Sequence, residues 1–95
     1  MTAEQRLQRA LLLLDREQPA EAETILRALM VPAVGDEVER VRAHVILGEH
    51  FARVGRESEA RALYTTAIET PVSAESRALL ELEIEHARDL LAASR

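Results

Sequence analysis

The chain has no cysteine and no tryptophan, and its only Phe and Tyr residues are Phe51 and Tyr64. Without thiols it cannot form a disulfide, a thiolate zinc site or a cysteine nucleophile. With so few aromatic rings, the core must be built from aliphatic side chains, and stacking on a nucleobase or a flat cofactor is poorly supplied. The composition therefore disfavours both thiolate chemistry and cofactor stacking.

Long apolar runs and an excess of basic charge are also missing. The longest apolar run, Ala10–Leu14, has five residues, whereas a membrane-spanning helix needs about 20 and a signal-peptide core about 7 to 15. The 12 Lys and Arg residues are outnumbered by 17 Asp and Glu residues, so the formal net charge is -5. Binding to a phosphate backbone requires a basic face. We therefore expect a cytoplasmic chain that partners neither a membrane nor a nucleic acid.

Apolar residues recur at helical spacing along the chain, and the few prolines and glycines divide it into segments. Thr2 followed by Gln5 is typical of a capping box, and Pro19 is typical of a first helical position. Asp36 and Ser73 are candidate N-caps of later helices. The pattern predicts five helices and no strand, near residues 3–17, 19–30, 36–54, 57–70 and 74–93, with a loop at 31–35.

Two apolar stripes in the middle of the chain predict a helix hairpin. The stripes are His44, Leu47, Gly48 and Phe51 on the third helix, and Ala60, Leu63, Tyr64, Ala67 and Ile68 on the fourth. Gly55 can end the third helix in the left-handed conformation, and the short turn that follows makes the two helices antiparallel. Because Gly48 and Ala60 are small, we predict that they meet at the closest approach of the two backbones.

This hairpin resembles a tetratricopeptide repeat, whose pattern sets a bulky residue, Leu-Gly and an aromatic before Ala, a second aromatic and Pro. The matching residues are His44, Leu47, Gly48, Phe51, Ala60, Tyr64 and Pro71, with His44 where the pattern has Trp. Residues 36–70 would be the second repeat, residues 3–31 a more degenerate first repeat, and residues 73–94 a capping helix. The resemblance implies one all-α domain, residues 1–95, stacked as a short right-handed solenoid.

In this family the first helix of each hairpin lines a concave groove that holds a peptide or a helix. The resemblance places Arg42, Val45, Glu49, Ala52 and Arg53 of the third helix in the groove, together with Leu7, Leu11 and Leu14 of the first. If the first turn is one residue shorter, these leucines belong to the core, and Gln5, Gln8, Leu12 and Asp15 line the groove. Both arrangements stay open, since an apolar stripe is more often core.

The predicted fifth helix is apolar over more than half of its circumference. One stripe contains Ala78, Leu79, Leu82, His86 and Leu90, and the other contains Leu80, Ile84, Ala87 and Leu91. A capping helix needs a single apolar stripe about 100° wide. We therefore predict that Leu80, Ile84, Ala87 and Leu91 form a face for a homodimer or another partner. The alternative is a terminal helix wedged deeply between both repeats.

Catalytic and metal chemistry find little support in the sequence. Glu83 and His86 form a Glu-x-x-His step, which supplies ligands in di-iron bundles only when a second copy and further Glu residues face it. No second copy occurs, so a surface or interface pair is favoured, and His44 is favoured as a packed, hydrogen-bonded residue. We expect no enzyme, no metal and no cofactor. The expected function is protein or peptide binding, as an adaptor or small chaperone, and the alternative is a self-associating structural module.

Overall fold

The computed structural model describes residues 1–32 and 36–94 of the chain. Within these ranges there are six helices and no strand. The helices are α1 Ala3–Asp15, α2 Pro19–Leu29, α3 Glu37–Arg53, α4 Glu57–Glu69, α5 Ala74–Leu79 and α6 Glu81–Ala93. The all-helical prediction is confirmed, and no helix in the described ranges is long and apolar enough to cross a membrane. The predicted loop at 31–35 lies mostly outside the described residues.

Local signals in the sequence place most of the helix ends. The Thr2 Oγ1 accepts a hydrogen bond of 3.1 Å from the Gln5 N–H, while the Gln5 Oε1 accepts one of 2.9 Å from the Thr2 N–H. This is the predicted capping box. Pro19 begins α2, and the Ser73 side chain caps α5. Asp36 precedes α3 but makes no side-chain cap hydrogen bond, so its predicted capping role is wrong in that respect.

The predicted fifth helix is in fact two helices, α5 and α6, which are separated at Leu80. The N–H of Leu80 is shared between the carbonyls of Ser76 and Arg77, at 2.9 and 3.2 Å, and its φ and ψ of -98° and 3° lie outside the helical region. The side chain of Leu80 is fully buried. No Gly or Pro marks this break, so the local sequence gives no signal for it.

The helices pack around α3. Helix α3 contacts all five of the others, α1 packs on α2, and α4 packs on α6. The molecule measures 38 × 35 × 19 Å, and its smallest dimension corresponds to two helices of about 10 Å each.

The close approach between α3 and α4 occurs at Gly48, as predicted, but its partner is the ring of Tyr64. A Cβ atom added to Gly48 would lie 2.6 Å from Cε1 and 2.9 Å from Cδ1 of that ring. Tyr64 and Ala60 are both buried, and Phe51 fills the other end of the stripe. The atoms nearest the glycine belong to Tyr64, which the prediction did not name, and this ring fills the space above Gly48.

Arg56, just before α4, joins the two hairpins. Its guanidinium lies 3.8 Å from the centroid of the Phe51 ring and makes hydrogen bonds to Glu59 at 2.6 and 2.9 Å. It also lies 3.4 Å from a carboxylate oxygen of Glu23 in α2. The hydrogen bonds from Arg56 lower the pKa of the Glu59 carboxyl. This arrangement covers the Phe51 ring and orients the α3–α4 turn against α2.

Candidate functional site

One face of α3 is partly exposed to solvent. Its outward residues are Arg42, Ile46, Glu49 and Arg53, which follow the three-and-four spacing of a single helix face. We call them the α3 stripe. Helix α1 lines a cavity with Ile46, Glu49 and Arg53 of this stripe, and α6 pairs with its Arg42 and Glu49. We call the surface that the α3 stripe forms with α1 and α6 the trough.

On the α6 side, two polar pairs close the trough. The Nε of Arg42 donates to the Oε2 of Glu83 at 3.1 Å, and the Nε2 of His86 lies 3.5 Å from the Oε2 of Glu49. The Glu-x-x-His step of α6 is therefore engaged by α3, as expected of an interface pair. Across residues 1–32 and 36–94, no group of three or more His, Asp or Glu side chains could hold a metal ion.

On the α1 side, the trough contains a cavity of about 160 Å³. It is lined by Leu11, Leu14, Asp15, Ile46, Glu49 and Arg53. The structure thus brings four of the predicted groove residues together: Leu11, Leu14, Glu49 and Arg53. Ile46 was missed, although it lies one turn beyond Arg42 and one turn before Glu49, and this spacing could have identified it.

Two predicted groove residues, Leu7 and Val45, belong to the core. Each is almost fully buried, so neither side chain is available to a partner. On α1 the buried residues are Leu7, Ala10 and Leu13, while Leu11 is 37% exposed and Leu12 45%. Gln5, Gln8 and Asp15 are exposed as well. Neither predicted arrangement of the first helix is fully correct, because both placed Leu7 and Leu11 in the same environment. The core stripe is instead centred on Ala10, which neither arrangement considered.

Ala52 lines a separate cavity of about 390 Å³ between α3, α4 and α6. The other lining residues are Glu57, Tyr64, Leu90, Ala93 and Ser94. Burial raises the pKa of the Tyr64 hydroxyl, and the negative charges of Glu49 and Glu57 raise it further. The neutral phenol is therefore the form present at physiological pH, and its hydroxyl can donate a hydrogen bond. The two nearby carboxylates disfavour binding of an anion there.

A third cavity, of about 500 Å³, lies where α3 begins. It is lined by Glu4, Asp36, Glu37, Val38, Glu39, Arg42, Ser76 and Leu79. Glu37 accepts hydrogen bonds from the Ser76 hydroxyl at 2.7 Å and from the Ser73 N–H at 3.2 Å. These bonds, that from Ser76 first, lower the pKa of the Glu37 carboxyl. Glu37 thereby ties the start of α3 to α5 and stays ionised.

The predicted dimer or partner face is mostly buried inside the chain. Leu80, Ile84 and Ala87 pack in the core, and Leu91 is half-buried against it. The stripe that was predicted to face a partner is therefore the stripe that packs in the core. Its exposed apolar residues are Leu79 and Leu82, at 64% and 75%. The apolar pattern alone does not distinguish the stripes, since their relative orientation depends on how the segment docks on α3 and α4.

His44 is half-buried, and its Nδ1 lies 2.7 Å from the carbonyl oxygen of Arg40. This confirms a packed, hydrogen-bonded histidine. Burial lowers its pKa and the nearby Arg40 charge adds to this, while the backbone hydrogen bond acts in the opposite direction. His44 therefore resists protonation in the folded state.

Acidification from about pH 7.5 to about pH 5.5 is expected to destabilise the fold, in part through His44. Its pKa is lower in the folded than in the unfolded state, so the unfolded chain binds more protons below an ordinary histidine pKa of about 6.5. The variant His44→Gln should lose less stability over this interval than the wild type in urea titrations. An equal loss of stability in both proteins would contradict the lowered pKa of His44.

The carboxyls of Glu37 and Glu59 also have lowered pKa values, but they affect stability only below about pH 4.5.

No family model matches the chain, and no curated protein or solved structure matches it either. The resemblance to tetratricopeptide repeats therefore depends on the residues of the chain alone.

Proposed function

We propose that this chain is a non-catalytic protein-binding module of the tetratricopeptide type, which holds a peptide or a short helix in the trough. The packing of the helices supports the proposal. Hairpins α1–α2 and α3–α4 lie side by side, and the α5–α6 segment covers the second hairpin. Stacked hairpins of this kind bury a continuous core and leave the first helix of each on one face. A role as an adaptor or small chaperone would follow.

The observation that carries the proposal is the cavity between α1 and α3. It unites Leu11 and Leu14 from one hairpin with Glu49 and Arg53 from the next. These four residues were expected in one groove from the resemblance, although they lie far apart in the sequence. With Ile46, the cavity has three aliphatic side chains in its wall.

The chemistry of this cavity suits an amphipathic ligand. Leu11, Leu14 and Ile46 provide an apolar surface, while Asp15, Glu49 and Arg53 supply both signs of charge at the same site. Helix-in-groove recognition depends on such a surface, in which an apolar anchor enters a pocket and polar groups fix its orientation. A volume of about 160 Å³ accommodates one side chain, so the cavity would anchor a single apolar residue of the partner.

The test is a display screen with random peptides of about 12 residues, followed by affinity measurements on two matched variants. Leu11→Asn should weaken binding of a selected peptide by about 10- to 100-fold, since a buried leucine is worth about 1.5 to 3 kcal/mol. Leu12→Asn, a change of the same size on a similarly exposed leucine, should bind like the wild type. Both variants should keep their melting temperature, because exposed substitutions change stability by only about 0.5 kcal/mol.

The same pair distinguishes the two arrangements predicted for the first helix. If Leu12→Asn weakened binding and Leu11→Asn did not, the groove would follow the alternative set of residues. If the screen selected no peptide that binds saturably, the binding function itself would be refuted.

A further inference from the structure

Leu79 and Leu82 are the exposed large apolar residues of the α5–α6 segment, three positions apart, and we call them the Leu79–Leu82 patch. Their side chains are 64% and 75% exposed. Leu79 lines the cavity at the start of α3 together with Val38. Leu82 is followed by Glu83, which pairs with Arg42 of α3. One helical turn after Leu82 lies His86, which pairs with Glu49 of α3. Leu79 therefore lies beside Arg42 of the α3 stripe, and Leu82 is next in sequence to a residue that pairs with it.

The surroundings of this patch are strongly acidic. Four carboxylates line the same cavity as Leu79, namely Glu4, Asp36, Glu37 and Glu39. In the part of the chain that the structure describes, none of the four forms an ion pair. Arg42 lines the cavity as well, but its guanidinium is bonded to Glu83. An apolar patch beside carboxylates that form no ion pair attracts a partner that is both apolar and positively charged.

We propose that the Leu79–Leu82 patch and its carboxylates dock a cationic amphipathic helix of a partner protein. The two leucines would cover the apolar side of that helix, and its Lys or Arg residues would meet Glu4, Asp36 and Glu39. The inference rests on the proposed binding function, because Arg42 belongs to both this cavity and the α3 stripe, and it specifies the chemistry of the partner.

A second copy of this chain is the less suitable occupant. Pairing two such patches would bring Glu81, beside Leu82, and the four carboxylates of the cavity close to the same residues of the other copy. Like charges facing each other oppose association, and the net charge of -5 acts in the same direction. A cationic helix instead removes the repulsion among the four carboxylates.

The experiment compares three synthetic peptides of about 14 residues, long enough for roughly four helical turns; two of them are amphipathic. Both carry leucine at the same amphipathic positions, and the remaining positions are lysine in one peptide and glutamate in the other. A third peptide has the lysine composition in a scrambled, non-amphipathic order. Dissociation constants are measured by fluorescence anisotropy at about 50 and about 300 mM NaCl, which separates screened from unscreened electrostatics.

The lysine peptide should bind at least about tenfold more tightly than the glutamate and scrambled peptides, and higher salt should weaken its binding. Leu79→Ser and Glu39→Gln should each weaken it several-fold. The matched controls are Val54→Ser, which alters an aliphatic residue that is 55% exposed, and Glu69→Gln, which alters an exposed carboxylate of α4. Both control variants should bind like the wild type.

Three results would overturn the inference. The first is failure of the lysine peptide to bind better than the other two peptides. The second is binding that Leu79→Ser and Glu39→Gln leave unchanged. The third is a homodimer, seen by light scattering, that Leu82→Ser dissociates. None of these depends on the Leu11 and Leu12 comparison with a selected peptide, so the proposed function and this inference can fail separately.

Discussion

Replacing Gly48 with leucine is expected to lower the free energy of unfolding by about 1 to 3 kcal/mol, the usual cost of overpacking a dense core. The reason is steric. A Cβ atom at this position would lie 2.6 Å from Cε1 of Tyr64, and that ring is buried and held between α3 and α4. The loss should appear although leucine favours a helix over glycine by up to about 1 kcal/mol. Urea titration would measure the difference.

A double-mutant cycle with Tyr64→Leu gives this prediction its control. If the ring is what opposes the added side chain, Gly48→Ala should cost less in the Tyr64→Leu background than in the wild type, with a coupling of about 0.5 kcal/mol or more. Gly48→Ala as stable as the wild type in both backgrounds would show that the close approach is absent, and the repeat interpretation would lose its main steric support.

The second large effect is expected at Leu80, where truncation to alanine should cost about 2 to 5 kcal/mol. Leu80 is fully buried at the break between α5 and α6, so its removal leaves a cavity that neighbouring helices can fill only in part. Thermal or urea unfolding monitored by circular dichroism would measure the loss. The same change at Leu82, which is 75% exposed, should alter stability by no more than about 0.5 kcal/mol.

These two leucines separate the sequence-based assignment of the segment from the structural one. The apolar pattern assigned Leu80 to a dimer or partner face, and the structure places it in the core. If Leu80→Ala were tolerated and Leu82→Ala strongly destabilising, the structural assignment would be reversed. Measurements at several protein concentrations would exclude a contribution from self-association, because the stability of a dimer depends on protein concentration.

Part of the candidate site was predictable because it follows from spacing on a single helix. Arg42, Glu49 and Arg53 share one side of α3 in any straight helix of 3.6 residues per turn, so the family resemblance and the geometry agree on them. The residues of α1 were harder. Whether Leu7 or Leu11 faces the core depends on how the α1–α2 turn orients the first helix, and the run Leu11–Leu14 is apolar on every side.

The polar closure of the trough could not be foreseen either. Arg42 and Glu83 are 41 residues apart in the chain, and neither carries a local signal that names the other. The Glu83 and His86 step suggested a ligand pair or a surface pair, and only the position of α6 beside α3 decides that both engage α3. Contacts between distant segments depend on the packing of whole helices, which a periodic pattern does not encode.

The sequence by itself determined the all-helical class, the capping box of Thr2 and Gln5, the start of α2 at Pro19 and the left-handed conformation of Gly55 after α3, where φ is 84°. These features depend on backbone geometry and hydrogen bonds within a few residues, so local sequence is sufficient for them. Only the tertiary structure decided that Tyr64 lies over Gly48, that the last segment breaks at Leu80 and that Leu79 and Leu82 face outward. In each case several positions satisfy the same helical spacing, and the choice among them is made by which one lets the helices pack without voids or clashes.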